Sequence, residues 1–345
     1  MPLLSRPHLV TLALAGAGTL VFWALNLPLP FLFGPMAASL LAALAGARLA
    51  AFGAVSAAAR TIIGVAVGAS ITPAVFAALP QMAASVALVP FYILIIGAVG
   101  VPFFRRVHGF DQVTAFYAAM PGGLQDMVLF GQLAGADVRA LSLIHATRVL
   151  IIVTVVPVVL TQAYGVTLSN PMGASIAEVP WPELLLMALA AVVGWKGGER
   201  IGLFGASIIG PLIVAAVLSL SGLIHMRPPR EAIFAAQFFI GMAIGVYYVG
   251  VTLRELRNVV AAGVAFVLLL AGLAALFTEI VVLLGLAAPL EAFLAFSPGG
   301  QAEMTVLAIV VGADLGYVVL HHLTRVILVI TGAPLVARLM RLRRR

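Results

Sequence analysis

The fold is decided by two short stretches, AMPGGLQDM at residues 119–127 and FSPGGQAEM at residues 296–304. Each interrupts a hydrophobic run with Pro-Gly-Gly. Proline lacks an N–H and glycine lacks a side chain, so together they end a helix and let the backbone turn. Backbone groups freed at membrane depth are tolerated only where protein or a water-filled cavity satisfies them. The stretches therefore predict either helix breaks that line a binding site or tight turns without a ligand.

Composition identifies the class of protein. Of 345 residues, 63% are hydrophobic and 9% are charged, whereas a soluble domain carries about a quarter charged residues. Hydrophobic runs of about 20 residues, long enough to cross a bilayer, recur along the chain. They lack the alternation of barrel strands. We therefore expect an all-α integral membrane protein whose surroundings are the lipid bilayer.

Charge and missing residue types exclude several functions. The net charge of +7 comes largely from arginines in short loops and at the C-terminus, the distribution of orientation signals, so no nucleic-acid partner is expected. The absence of cysteine excludes disulfides, thiolate metal sites and a cysteine nucleophile. No His-x-x-x-His spacing, P-loop or dinucleotide fingerprint occurs. We expect no metal, no cofactor and no enzymatic activity.

The two halves of the chain repeat one pattern. Matching motifs occur in the same order, 176 or 177 residues apart: Gly-Pro at 34–35 and 210–211, IGVAVG at 63–68 and IGMAIG at 240–245, Pro-Gly-Gly at 121–123 and 298–300, GAD at 135–137 and 312–314, and HATRV at 145–149 and HLTRV at 322–326. The chain divides into a first membrane repeat, a linker and a second membrane repeat, at residues 1–163, 164–181 and 182–345. Each repeat is expected to hold about five transmembrane helices and one Pro-Gly-Gly segment, giving 10–12 membrane segments. The third helix of the first repeat, for example, is expected at about residues 58–79.

Two topologies remain open, because each Pro-Gly-Gly segment either crosses the bilayer as a broken helix or enters and leaves on one side. In the re-entrant arrangement with a cytoplasmic N-terminus, only Arg227 and Arg230 among the loop cations fall outside. The crossing arrangement places more cations on the outer side of the membrane, namely Arg139, Lys196, Arg200, Arg254 and Arg257. Since positive loops stay inside, the re-entrant topology is favoured. It places both termini in the cytoplasm and inverts the two repeats, as in many secondary transporters.

Candidate site residues come from the two segments and from the last helix of each repeat. They are Gly122, Gly123, Gln125, Asp126, His145, Arg148, Gly299, Gly300, Gln301, Glu303, His322 and Arg325. Ionisable groups inside a membrane are usually functional. Asp126 and Glu303 would bind a cation, carry a proton or contact a polar substrate, and part of their role would be to cap the following helix.

The histidine and arginine of each last helix are three residues apart and therefore share a helix face. The planar guanidinium of Arg148 or Arg325 suits a carboxylate. The structural alternative is that these arginines reach the surface or pair with Asp137 or Asp314. His321 adds a third histidine in the second half only.

These paired motifs resemble the bacterial AbrB membrane-protein family, whose members are often labelled ammonia monooxygenase. The resemblance covers nearly the whole chain and implies a location in the bacterial inner membrane. The family name is shared with a soluble DNA-binding regulator that this sequence does not resemble. The plan of paired halves, each with a Gly-Gly segment before its last helix, is similar to that of citrate and glutamate symporters.

The sequence as a whole favours a secondary transporter or permease for a small polar solute, with a carboxylate as one candidate. A coupling proton or Na⁺ and a homodimer follow by analogy with symporters. The alternatives are a membrane-embedded regulator or sensor without transport and a membrane monooxygenase. The monooxygenase is disfavoured because the six histidines form no ligand pattern.

Overall fold

The computed structural model describes residues 5–27, 29–168, 173–203 and 205–340. Within these ranges all regular structure is helical, without a strand. The Asn170-Pro171 turn of the predicted linker and the last five residues lie outside the described residues. The prediction of an all-helical chain is confirmed for the described part.

The described part of the first repeat contains eight α-helices: α1 Arg6–Ala24, α2 Pro30–Leu44, α3 Gly53–Gly68, α4 Pro73–Val86, α5 Leu88–Pro102, α6 Gln112–Ala119, α7 Leu124–Ala134 and α8 Val138–Ala163. The described part of the second repeat also contains eight: α9 Trp181–Arg200, α10 Ala206–Leu220, α11 Arg230–Val246, α12 Leu253–Glu255, α13 Ala261–Leu283, α14 Pro289–Phe296, α15 Gln301–Val311 and α16 Leu315–Leu339. Two π-helical turns, Phe103–Val107 and Leu256–Val260, extend α5 and join α12 to α13.

Several helices have the length and apolarity of membrane spans. In the described part, five helical stretches qualify: Arg6–Ala24, Leu79–Val107, Val138–Ala163, Leu253–Leu283 and Leu315–Leu339. Four shorter apolar helices accompany them: Pro30–Leu44, Gly53–Gly68, Ala206–Leu220 and Gln301–Val311. A crossing of the hydrocarbon core takes about 20 helical residues. This is the pattern of a multi-pass membrane protein.

The helices group into two compact units, and each unit takes helices from both sequence repeats. The first unit comprises Met1–Ala77, Val166–Val251 and Thr305–Gly316. In it, Gly64 of α3 lies so close to the backbone carbonyl of Ile208 in α10 that a Cβ would not fit. Gly241 of α11 has the same relation to Leu32 in α2. The glycine pairs of α3 and α11 are thus close-packing surfaces between helices.

The second unit comprises Ala78–Gly165, Thr252–Met304 and Tyr317–Arg345. It contains both Pro-Gly-Gly stretches and the two last helices, α8 and α16. Its buried core is rich in aromatic side chains, among them Tyr92, Phe104, Phe266 and Phe296. All candidate site residues belong to this unit.

Candidate functional site

The two Pro-Gly-Gly stretches separate pairs of short helices. α6 ends at Ala119 and α7 begins at Leu124, while α14 ends at Phe296 and α15 begins at Gln301. Gly123 occupies the N-cap of α7 with an extended backbone, φ −63° and ψ 146°. The four site glycines are absent from the left-handed region of backbone conformation. Glycine is therefore not needed here to turn the chain through positive φ.

Glycine is needed at these positions because neighbouring side chains leave too little room for a Cβ. A Cβ on Gly122 would lie 2.6 Å from Met127 Cε, and one on Gly299 would lie 2.8 Å from Met304 Cε. The second glycine of each stretch, in contrast, is covered by the carboxylate three residues later. A Cβ on Gly123 would overlap Asp126 Oδ2, and Gly300 has the same relation to Glu303. Each carboxylate thus sits over the N-terminus of the following helix, where the helix dipole favours negative charge.

The two arginines bind the carbonyls that the helix breaks set free. Arg325 donates from Nη1 to Ser297 O at 2.9 Å and from Nη2 to Gly299 O at 2.6 Å. Arg148 donates from Nη2 to Gly122 O at 2.5 Å, and its Nη1 lies 3.4 Å from Met120 O. Both side chains are buried, with 2% of Arg148 and 4% of Arg325 exposed. The last carbonyls of a helix carry partial negative charge, so each guanidinium holds its loop electrostatically.

The two histidines repeat this arrangement one turn earlier. His145 Nε2 is 3.1 Å from Tyr117 O, and His322 Nε2 is 2.9 Å from Leu294 O. A carbonyl only accepts, so Nε2 carries the proton in both rings. His322 Nδ1 then accepts a hydrogen bond from Arg325 Nη2 at 2.9 Å. Each histidine fastens the last helix of its repeat to the short helix before the break.

Asp137, weighed above as a partner of Arg148, instead accepts from Ala140 N at 3.0 Å and caps α8. The side chain of Gln125 lies outside the described part of the structure. Within the described residues, no group of three His, Asp or Glu side chains could hold a metal ion.

Several buried donors at the site have no acceptor in the described part of the protein: Arg148 Nε, Arg325 Nε and Gln301 Nε2. A buried N–H without a partner destabilises a protein by about 1–3 kcal/mol. Such groups are normally met by water or by a ligand. Arg148 also lies within electrostatic range of Arg325 and Glu303, which belong to the other repeat. The unit therefore brings cations and a carboxylate from both halves into one buried region.

Tyr92 is a site residue that the sequence analysis missed. Its hydroxyl donates to the carbonyl oxygen of Phe296 at 2.8 Å, and Phe296 is the last residue of α14, two positions before Pro298. It is buried and lies within electrostatic range of both Arg148 and Arg325. A tyrosine inside the apolar run of α5 was the available signal, because a buried tyrosine hydroxyl usually has a partner.

A family model described as "Transition state regulatory protein AbrB" matches residues 31–341. The chain belongs to the AbrB family. This AbrB-family chain is 26% identical over 325 residues to an Escherichia coli K12 protein named "Putative regulator AbrB", covering 92% of the chain and 91% of that protein. It is 28% identical over 258 residues to "Uncharacterized protein YhjN" of Bacillus subtilis 168, covering 67% of the chain and 64% of that relative. Neither name describes an enzyme. No solved structure gives a significant match.

Proposed function

We propose that this chain is a secondary transporter or permease for a small polar solute, bound where the two Pro-Gly-Gly segments come together. The observation that supports this most directly is the set of buried donors without protein acceptors, Arg148 Nε, Arg325 Nε and Gln301 Nε2. They stand beside two helix breaks in a chain with several membrane-length helices. Irregular backbone at membrane depth is typical of transporter sites.

The chemistry of the site favours a carboxylate as the solute. Guanidinium N–H groups match the oxygens of a carboxylate, and two arginines face the region from opposite halves. Asp126 and Glu303 balance that charge and are the groups that would take a coupling proton or Na⁺. Since the carboxylates of Asp126 and Glu303 cover the second glycines, any movement of the Pro-Gly-Gly segments would change the surroundings of these carboxylates.

The proposed topology has two inverted repeats with re-entrant Pro-Gly-Gly segments and cytoplasmic termini in the inner membrane. The distribution of loop arginines supports it. Reciprocal packing supports it too, since α3 packs on α10 and α11 packs on α2 through equivalent glycines. A two-fold relation between repeats would produce such an exchange. Assembly as a homodimer is proposed by analogy with symporters.

The test is flux through purified protein in liposomes. Radiolabelled mono-, di- and tricarboxylates are offered under an imposed pH or Na⁺ gradient. We expect one class to accumulate and the double variant Asp126→Asn/Glu303→Gln to lose this uptake. The matched control is Glu199→Gln, because Glu199 is an exposed carboxylate paired with Lys196 at 2.9 Å.

Absence of gradient-driven uptake and of exchange for every class of solute would contradict the proposal. A membrane regulator is the second candidate, favoured by the names of the family model and of the E. coli relative. It predicts no flux in any variant. Stoichiometric copper or iron in the purified protein would instead revive the monooxygenase label.

A further inference from the structure

A buried polar cluster in the second unit breaks the symmetry between the repeats. His321 lies 2.8 Å from Tyr317 O through Nδ1 and 3.1 Å from Ser85 Oγ through Nε2. His321 is only 1% exposed, and the other two residues are also buried. At the positions 177 residues away, the protein has three apolar residues instead: Ile144, Ala140 and Ala262. These are equally buried, so the same place in the other half needs no polar group for packing.

All three positions differ in polarity between the two halves, and this joint difference indicates a chemical role for the polar cluster. A buried polar group is unfavourable unless it is hydrogen-bonded. The chain therefore has an apolar set of residues at this place in the first half and a polar set in the second. Ionisable residues inside membrane proteins commonly form proton relays, and histidine changes charge near neutral pH.

The hydrogen bonds around His321 accommodate both of its protonation states if only the hydroxyl hydrogen of Ser85 rotates. Tyr317 O only accepts, so Nδ1 carries a proton, and Nε2 of the neutral ring faces Ser85 Oγ with a lone pair. The Ser85 hydroxyl has a second acceptor, Met82 O, at 2.9 Å. When Nε2 takes up a proton, it can donate to Ser85 Oγ while the serine donates to Met82 O. Two carbonyls then stabilise the charge.

The surroundings connect this cluster to the second Pro-Gly-Gly break. The ring of Phe296 packs edge-on against His321 with centroids 5.7 Å apart. The titratable groups that interact with the cluster are His322 and Tyr317 of its own helix, with the Tyr317 ring 4.2 Å from that of His321, and Glu291 of α14. Glu291 is partly exposed at the start of α14 and acts electrostatically on Tyr317. The sequence of α4 contributes no ionisable residue.

We propose that His321 carries the coupling proton of the transporter, taking it up at Nε2 from water on one side of the membrane and releasing it on the other. The inference rests on the proposed function and narrows it, because the coupling ion is then a proton carried by His321, and Asp126 and Glu303 balance the charge of the arginines instead of carrying it. One proton is bound and one is released in each cycle, so no further reactant is consumed. Ser85 is a positioning residue, because it acts by accepting from and donating to the ring.

The first experiment needs no transported solute. Protein with ¹⁵N-labelled histidine is titrated by NMR from about pH 5 to 8, the range of histidine charge changes. The His321 resonance is assigned by its loss in His321→Gln. We expect it to change from the singly protonated ring with a proton on Nδ1 to the doubly protonated ring. A His321 resonance that stays constant across the range would overturn the proposal.

The second experiment separates coupling from binding, using in liposomes the carboxylate that the wild-type protein accumulates. The variant Ser85→Ala/His321→Ile installs the residues found at the equivalent positions of the first repeat, so its packing has a precedent within the chain. We expect uptake driven by a pH gradient to be lost while exchange of labelled for unlabelled solute continues.

Unchanged gradient-driven uptake would overturn the assignment of His321. Loss of both activities in a protein that still elutes as a single folded species would also overturn it, because His321 would then be needed for the site in general. Absence of any flux in the wild-type protein would instead remove the proposed function and with it the coupling role. If flux is intact and His321 does not titrate, the transporter proposal stands and only the coupling role of His321 is removed.

Discussion

Replacing Arg325 by lysine tests whether the arginines hold the Pro-Gly-Gly breaks, and Arg148→Lys is the matched comparison. The Arg325 guanidinium donates to Ser297 O, Gly299 O and His322 Nδ1 at 2.6–2.9 Å. An ammonium is a point donor on a different stem, so it keeps about one of these bonds. Hydrogen bonds to charged groups contribute about 1.5–3 kcal/mol each. Losing two of them lowers the free energy of unfolding by about 3–6 kcal/mol.

Arg148 is expected to be less sensitive. Its short bond to Gly122 O is 2.5 Å, whereas the contact with Met120 O is 3.4 Å and weak. A lysine that keeps the short bond loses only the weak contact. The free energy of unfolding should therefore fall by less than about 1.5 kcal/mol. The two substitutions remove the same chemical group from equivalent positions, so their difference isolates the hydrogen bonds.

The assay is thermal unfolding of the purified variants in one detergent, followed by circular dichroism. At roughly 2 °C per kcal/mol for a chain of this size, Arg325→Lys should lower Tm by about 6–12 °C. Arg148→Lys should lower it by no more than about 3 °C. Equal losses, or a larger loss for Arg148→Lys, would refute the argument that hydrogen bonding to the freed carbonyls sets the stability of each break.

Further predictions concern the glycines, the missed tyrosine and the topology. Gly123→Ala displaces a flexible carboxylate and should abolish flux with little change in Tm, whereas Gly64→Ala overlaps a backbone carbonyl and should destabilise the protein by about 1–3 kcal/mol. Tyr92→Phe loses one hydrogen bond and should lower the free energy of unfolding by about 1 kcal/mol, measured in the same thermal assay. In intact cells, an impermeant thiol reagent should label a cysteine at the exposed position of Asp314 (Asp314→Cys) but not one at the equivalent exposed position of Asp137 (Asp137→Cys); equal labelling would contradict inverted repeats.

The hydrophobic runs predicted the helical class because their length and composition dominate local structure, but they did not predict every boundary. The third helix, expected to extend to about residue 79, ends at Gly68, and α4 begins at Pro73. Hydropathy stays high through this region, so it cannot reveal a break. Proline is favoured in the first turn of a helix because its missing N–H is unpaired there anyway. That preference was the available signal.

The candidate site residues could be named from the sequence, but their contacts could be described only from the fold. The glycines were expected to let the chain turn, yet none of the four has a positive φ. The second glycine of each stretch makes room for Asp126 or Glu303, and the first makes room for a methionine. The arginines were expected to face a carboxylate or an aspartate. Their Nη atoms bind carbonyls that a broken helix exposes, and only Nε remains for a solute. Which carbonyls are free depends on where helices end, and this is a property of the fold.

The pattern of what is duplicated separates structural from chemical roles. The contacts that fasten each loop recur in both halves at the same separations, 28 residues for the histidines and 26 for the arginines. Some polar groups have no counterpart 177 residues away: Gln301 stands opposite Leu124 and His321 opposite Ile144, while Gln125 of the first half stands opposite Ala302. A scaffold that moves between two equivalent states needs symmetric hinges. Under the proposed function, a small solute bound between the repeats is not itself symmetric, so some of the residues that recognise it differ between the halves. We infer that the duplicated residues fasten the two loops and supply the guanidinium groups for a carboxylate, while the unduplicated residues distinguish one solute from another.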